Sequence, residues 1–344
     1  MDLLPTNEQM QLVDACANFL SNEFPVSNLL QHNNSTRLID RQKLRLIADL
    51  GYFGIGLDEE LGGIGYGIAE EVLVFTEMGR NLMSPSLLAS NLAARIAALT
   101  GNHKLKESLL SGEKTVAATV ATTASQAALD ATVSGDFLLL EYDDSDLLLF
   151  VDESGAALVD AATLESVHKV ISIDEKLSMS RVILHKVAVL AYLPAAQDTI
   201  YLRGVLLCAA MLLGIAEATL QRSVCYAKQR EQFGKPIGSF QAIKHTCADM
   251  AIRCESLRAM LFHATITFGS GRRDGNFDVF AAKALATNAA QSNANASVQI
   301  HGGMGFTQEM DIHLFVKRAQ VLDQLFGDKR KHLRSLLAEP AALI

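Results

Sequence analysis

Apolar and polar positions divide the chain into three stretches. Residues 7 to about 110 read as helical: Thr6 can cap a first helix carrying Glu8 to Phe19, and in RQKLRLIADL the positions Leu44, Ile47 and Leu50 return every three residues. That spacing is one face of a helix. In GYFGIGLDEELGGIGYG, seven glycines fall between Gly51 and Gly67, and each disfavours continued helix by about 1 kcal/mol relative to alanine. Such a stretch serves either as a loop over a ligand or as a tight packing corner. Helical character resumes at Ile68 to Met78 and around Leu92 to Leu99.

From Thr115 to about Ala196 the period changes. TVAATVATTA, FLLLEY, DLLLFV and VILHKVAVLAYL are short β-branched or aliphatic runs divided by Gly, Asp and Ser, the pattern of a small β-domain with about six to eight strands. EYDDSD, residues 141–146, lacks the ligand spacing and bend glycine of a calcium loop and reads as a solvated hairpin. Beyond it, Val205 to about Lys228 is apolar nearly all round in its first half, as an inner helix is. Ile243, Cys247, Met250, Cys254, Leu257 and Leu261 then form one stripe from Ser239 onward. Phe280 to Ile300 gives another helix, HGGMGF breaks it, and Leu314 to Leu337 gives a last one; long helices with short connections form a bundle.

Composition narrows the classes. With 344 residues and 49% hydrophobic content the chain can bury a large core, and its formal charge of −8 argues against a nucleic-acid groove. Its five cysteines are scattered with no CxxC pair, so neither a disulfide framework nor a structural zinc site is indicated. His301 and His313 have no third ligand at metal spacing, and His301 fits better as a helix-end cap or a contact to a bound cofactor. MDLLPTNEQMQLVDACANFL lacks a basic n-region, and the apolar run Leu206 to Gly214 is nine residues, short of a bilayer. A cytoplasmic protein that avoids the membrane is the expectation.

One stretch fits no simple helix connection. REQFGKPIGSFQ, Arg230 to Gln241, places an arginine, a phenylalanine and a Gly-Lys-Pro-Ile-Gly corner between two long helices. Arg230, Phe233, Gly234, Pro236, Ile237, Phe240 and Gln241 resemble the RxxFGxPIxxFQ signature of the acyl-CoA dehydrogenases. QIHGGMGFTQE, Gln299 to Glu309, resembles that family's Q-x-x-GG-x-G-[YF] segment, and EELGGIGYG is a weaker third match. Order and spacing agree over nearly the whole chain. The implied fold is α+β: an N-terminal helical domain (1–114), a small central β-domain (115–198) and a C-terminal four-helix bundle (199–344). The implied chemistry is α,β-oxidation of an acyl-CoA thioester with FAD as hydride acceptor and an electron-transfer flavoprotein as the next acceptor. In such homologues the two motifs reach across a subunit interface to the adenosine diphosphate part of the neighbour's FAD. The resemblance therefore makes Arg230, Phe233, Gly234, Gln299, Gly302 and Gly303 cofactor-binding candidates. The chemistry suits them: arginine offers several donors to a pyrophosphate, and glycine lets a backbone N–H approach without a Cβ in the way. Lys228 and Lys235 add positive charge beside Arg230.

Two departures stand beside these matches. The family's T-E-P-x-x-G-S-D loop is replaced by ATVATTASQAALDA, Ala118 to Ala131, and the chain has no tryptophan, so its own flavin-ring platform reads as eroded. The glutamate base of a Y-E-G-T loop is replaced by Phe326, with Asp323 and Asp328 nearby but out of place. A minority of the family carries the base on the long helix after the RxxFG corner. Here that helix has Glu255, with Arg258 three residues on as an orienting partner, side by side on the helix surface. Glu255 is either a base beside an acyl chain or simply the carboxylate partner of Arg258. Both departures resemble the shorter subunit of bacterial α2β2 relatives that act on steroid side-chain thioesters, in which a larger homologous subunit carries the base and flavin platform. Two alternatives stay open: a self-sufficient homo-oligomer using Glu255, and a flavin-free structural or acyl-CoA-binding relative.

Overall fold

The computed structural model describes residues 4–31, 38–122, 128–272 and 275–339. Six helices come first: α1 (Asn7–Glu23), α2 (Ser27–Gln31), α3 (Arg41–Asp49), α4 (Ile68–Arg80), α5 (Pro85–Leu99) and α6 (His103–Leu110). Thr6 caps α1 in a reciprocal box, its hydroxyl accepting from Gln9 N while the Gln9 side chain accepts from Thr6 N. The glycine-rich segment is a packing corner. A Cβ on Gly63 would run into the Leu57 carbonyl oxygen, and Gly51, Gly62 and Gly65 sit at positive φ, where an L side chain is strained.

Eight strands follow: β1 (Val116–Ala121), β2 (Ala128–Leu129), β3 (Thr132–Leu140), β4 (Leu147–Asp152), β5 (Gly155–Asp160), β6 (Val167–Val170), β7 (Met179–Ala188) and β8 (Ala191–Pro194). They make one sheet in the order β6-β7-β3-β1-β4-β5-β8, with β2 on β3 and the pair β1/β4 parallel. Alternation along β4 explains its unbroken apolar run: Leu147 and Leu149 join the helical core, whereas Leu148 and Phe150 face a second core with Phe137 and Leu139. The EYDDSD turn departs from expectation. Because β1 lies between β3 and β4, it is a crossover rather than a hairpin. Glu141 is buried, accepting from Ser84 Oγ and from Leu38 N at 2.8 Å, and Asp146 accepts from Thr115 N at 2.9 Å. Part of the departure at Ala118 to Ala131, residues 123–127, lies outside the described residues.

The C-terminal part begins with α7 (Ile200–Gln229), followed by a small hairpin of β9 (Glu231–Gln232) and β10 (Lys235–Pro236), then α8 (Gln241–Gly269) and α9 (Gly275–His301). The apolar run of α7 is longer than nine residues and has the length and composition of a membrane span, but its most apolar window is wholly buried inside the molecule. It is the central helix of the core. The expected last helix is two, α10 (Ile312–Gln324) and α11 (Lys329–Ala338), because Phe326 and Gly327 between them adopt φ of 61° and 108°. Helix geometry does not pass through positive φ.

Helices α4 and α7 cross at two glycines. A Cβ on Gly214 would strike the Thr76 carbonyl oxygen, and one on Gly79 the Met211 carbonyl oxygen. Gly214→Ala is therefore expected to force the helices apart and lower stability by about 1–3 kcal/mol, read as a shift of the denaturant midpoint; an unchanged midpoint would contradict so close a crossing.

Candidate functional site

Bundle topology gathers the cofactor candidates at one end. The chain leaves α7, turns through β9 and β10 into α8, runs to the far end and returns along α9, so the ends at Gln229, Gln241 and His301 coincide. Tyr226 on α7 stacks on His301 of α9 with ring centroids 4.2 Å apart, and Ser223 Oγ lies 2.9 Å from Ser297 Oγ. Arg222 pairs with Asp311 at 3.0 Å, tying in the segment after the glycines. His301 is buried; its Nδ1 donates to Ser297 O at 2.7 Å, and burial holds its pKa below the usual histidine value.

The motif residues around this knot face outward. Arg230 and Gln299 are exposed, and among the described residues Arg230 makes no ion pair. Phe233 is 92% exposed at φ 57°, which excludes a bundle-core plug, and its ring meets Phe240 edge-on at 6.1 Å. Lys235 Nζ sits 4.5 Å from the Phe240 ring centroid. Gly234, Gly302 and Gly303 have nothing within 4 Å of the place where a Cβ would stand. The result is an open shelf with one unpaired guanidinium, an exposed aromatic ring and bare backbone.

Phe326, where the resemblance expects the family's glutamate, is a hydrocarbon side chain packed against the core. The Phe326 ring packs against Gly204 of α7, where a Cβ would lie 2.9 Å from it. The neighbouring turn is held on several sides. Lys283, fully buried, donates to the carbonyl oxygens of Leu322 at 3.0 Å and Asp323 at 3.1 Å, and His332 Nε2 donates to Gly327 O at 2.9 Å. Burial above all, with Lys283 adding, pushes the His332 pKa down to about 3. Both nearby aspartates are occupied: Asp323 accepts from Lys329 N at 3.2 Å, and Asp328 caps α11 by accepting from Lys331 N at 2.7 Å.

Glu255 and Arg258 lie elsewhere, on the wall of a trough between α1, α4, α7 and α8 with a volume of about 490 Å³. Arg258 Nη1 donates to Glu255 Oε1 at 2.5 Å, but the Glu255 side chain is 69% exposed at the rim. Arg258 also grips Glu217, donating from Nε at 3.0 Å. Glu217 is buried and binds Arg80 as well, and Arg80 Nε lies 2.8 Å from Glu77 Oε1. Burial raises the Glu77 pKa, with Arg80 opposing and Glu217 adding to the rise. The sequence reading missed Glu77, Arg80 and Glu217. The signals were a Glu–Arg pair at i,i+3 and one acid inside the apolar run of α7.

Family models place this architecture. Those for the acyl-CoA dehydrogenase N-terminal and C-terminal domains match residues 6–113 and 196–339, either side of the sheet. Over 342 residues the chain is 30% identical to the acyl-CoA dehydrogenase IpdE2 of Mycobacterium tuberculosis (strain ATCC 25618 / H37Rv), covering 98% of both chains. The chain belongs to the acyl-CoA dehydrogenase family. A second relative from the same organism, the acyl-CoA dehydrogenase FadE34, is 32% identical over 297 residues, which are 85% of this chain and 41% of FadE34. The chain thus spans less than half of one relative and nearly all of the other. Among solved structures, the ChsE4–ChsE5 complex from Mycobacterium tuberculosis contains a chain with a TM-score of 0.85 and 25% identity, covering 99% of this chain and 100% of that one.

The acyl-CoA dehydrogenase fold is an FAD-binding one, and solved structures sharing it hold FAD. The shelf at the end of α7 and α9 could hold the adenosine diphosphate part of that cofactor. Its free guanidinium suits a pyrophosphate, and its three glycines leave room where a side chain would block the approach. No comparable fit exists for a proton-abstracting carboxylate at Phe326.

Proposed function

We propose that this chain is a subunit of an FAD-dependent acyl-CoA dehydrogenase that desaturates an acyl-CoA thioester, of the steroid side-chain type, between its α and β carbons. In this reading a larger homologous subunit supplies the base in an α2β2 assembly, and an electron-transfer flavoprotein takes the electrons onward. What supports it is the orientation of the cofactor shelf: Arg230, Phe233 and the bare glycines face away from their own chain, as residues serving a neighbour's cofactor must. Arg230 would hold the pyrophosphate through charge-assisted hydrogen bonds, Phe233 would pack beside the adenine or ribose, and Gln299 with the backbone at Gly302 and Gly303 would complete the contact. FAD, when bound, supplies the acceptor for the hydride that leaves the β carbon. Phe326 has no group that can accept a proton, so the α-proton must leave to a carboxylate outside this turn. Glu255 is exposed at the rim and already tied to Arg258.

Producing the chain alone and together with a longer homologue that carries the base tests this. The isolated chain is expected to retain little flavin absorbance and the assembled complex to retain it fully. Stoichiometric, tightly held FAD in a verified homomer would overturn the divided site, and a colourless protein in both cases would favour the flavin-free relative.

A further inference from the structure

The trough beside Glu255 lies well away from the cofactor shelf. Arg258 is 17 residues into α8, about 25 Å along the helix from that end. Apolar side chains form its walls, among them Leu4, Met10, Val13, Leu73, Leu213 and Phe262, and a second recess of about 300 Å³ continues it past Leu73 and Phe262 toward Thr265. Leu4 and Met10 are 78% and 48% exposed, so the walls stand open to water rather than closing on one another.

An alternating series drawn from three helices runs across its floor, Glu77, Arg80, Glu217 and Arg258, and ends on Glu255 at the rim. Folding does not require such a series, because well-packed apolar residues in place of half-buried ion pairs are often neutral or stabilising. The donors left over point to its use. Arg80 donates from Nη2 to Glu217, while its Nε, buried and 2.8 Å from Glu77 Oε1, makes no hydrogen bond among the described residues, and its Nη1 has no acceptor there either, beside a trough where the side chain is 30% exposed. The group missing at this floor is an acceptor. It is not an anion, since Asp14, Glu77, Glu217 and Glu255 outnumber Arg80 and Arg258 around the trough. A cation fits poorly, because it would have to displace a guanidinium from Glu77, Glu217 or Glu255.

We propose that this trough is a second small-molecule site, which takes an apolar body ended by an uncharged oxygen, an alcohol or a ketone, with that oxygen accepting a hydrogen bond from Arg80. The apolar body replaces water over the open walls, a gain that scales with the area covered. The site stands independently of the cofactor reading, as none of its residues belongs to the shelf.

Decanol, decanoate and decylamine share one apolar chain and differ in the charge of the head, so their binding to the full chain by calorimetry or competition tests both location and chemistry. Decanol is expected to bind once per chain and at least about ten-fold more tightly than either charged probe. Val13→Trp, which fills the trough from its half-exposed rim, is expected to abolish binding of all three; Arg80→Met is expected to weaken decanol about ten-fold and leave the charged probes unchanged. Should Arg80→Met fail to fold, the head-group series and Val13→Trp decide the matter between them. Equal affinity for the three probes, tightest binding of decylamine or decanoate, no binding at all, or binding indifferent to Val13→Trp would each overturn the proposal. A failure of the flavin experiment leaves these outcomes unaffected.

Discussion

Arg318→Met is expected to lower the free energy of unfolding by about 3–5 kcal/mol, the largest effect of any single substitution considered for this chain. Arg318, on α10, is 1% exposed, and its Nε donates to Asp174 Oδ2 at 2.6 Å in the connection between β6 and β7. Its Nη1 donates to the carbonyl oxygens of Leu82 and, at 2.8 Å, Met83, between α4 and α5. One side chain thus joins the N-terminal helices, the sheet and the bundle. Methionine fills a similar volume but leaves Asp174, also 1% exposed, as a buried carboxylate without its cation, and leaves two carbonyl oxygens short of a donor. Denaturant unfolding with a two-state test reads the loss. A change below about 1 kcal/mol, the size ordinary for an exposed pair, would show that water reaches Asp174 and that the three parts are not held through this residue.

Arg230→Ala is expected to act in the opposite manner, on cofactor and not on fold. Arg230 is exposed and without an ion pair among the described residues, so its removal should change unfolding by no more than about 0.5 kcal/mol. In the assembled protein, loss of charge-assisted hydrogen bonds to a pyrophosphate costs about 1.5–3 kcal/mol, which is roughly ten-fold to over one hundred-fold in flavin affinity. Flavin dissociation from the complex and unfolding of the same sample together make the test. Unaltered flavin retention would remove Arg230 from the cofactor site, and with it the main support for the shelf.

Sequence reading reached the architecture through period. Of the three-residue returns, Leu44 and Ile47 are buried while Leu50 is exposed; the run DLLLFV is buried on both faces; and of the stripe from Ile243 to Leu261, the part from Met250 onward is buried while Ile243 and Cys247 are half-buried. Such patterns are local, because a helix or strand buries the face that its own spacing defines. The connections were harder. EYDDSD looked like a hairpin because acids and serine favour turns, yet only the placement of β1 between β3 and β4 makes it a crossover. The break between α10 and α11 rests on Phe326 at positive φ, a conformation that no pattern of apolar residues announces.

The candidate sites divide in the same way. By its own order the sequence determined that Arg230, Phe233, Gly234, Gln299, Gly302 and Gly303 stand in two motifs at helix ends, and that no carboxylate occupies position 326. It also paired Glu255 with Arg258, since residues three apart on a helix are neighbours whatever surrounds them. Only the tertiary structure decided that the shelf faces outward, and that Glu77, Arg80 and Glu217 extend the Glu255–Arg258 pair into a series along a trough. Those contacts join α4, α7 and α8 across more than 130 positions of chain. They depend on the close crossing that Gly79 and Gly214 permit, because the side chains of separate helices meet only where packing brings the helices together.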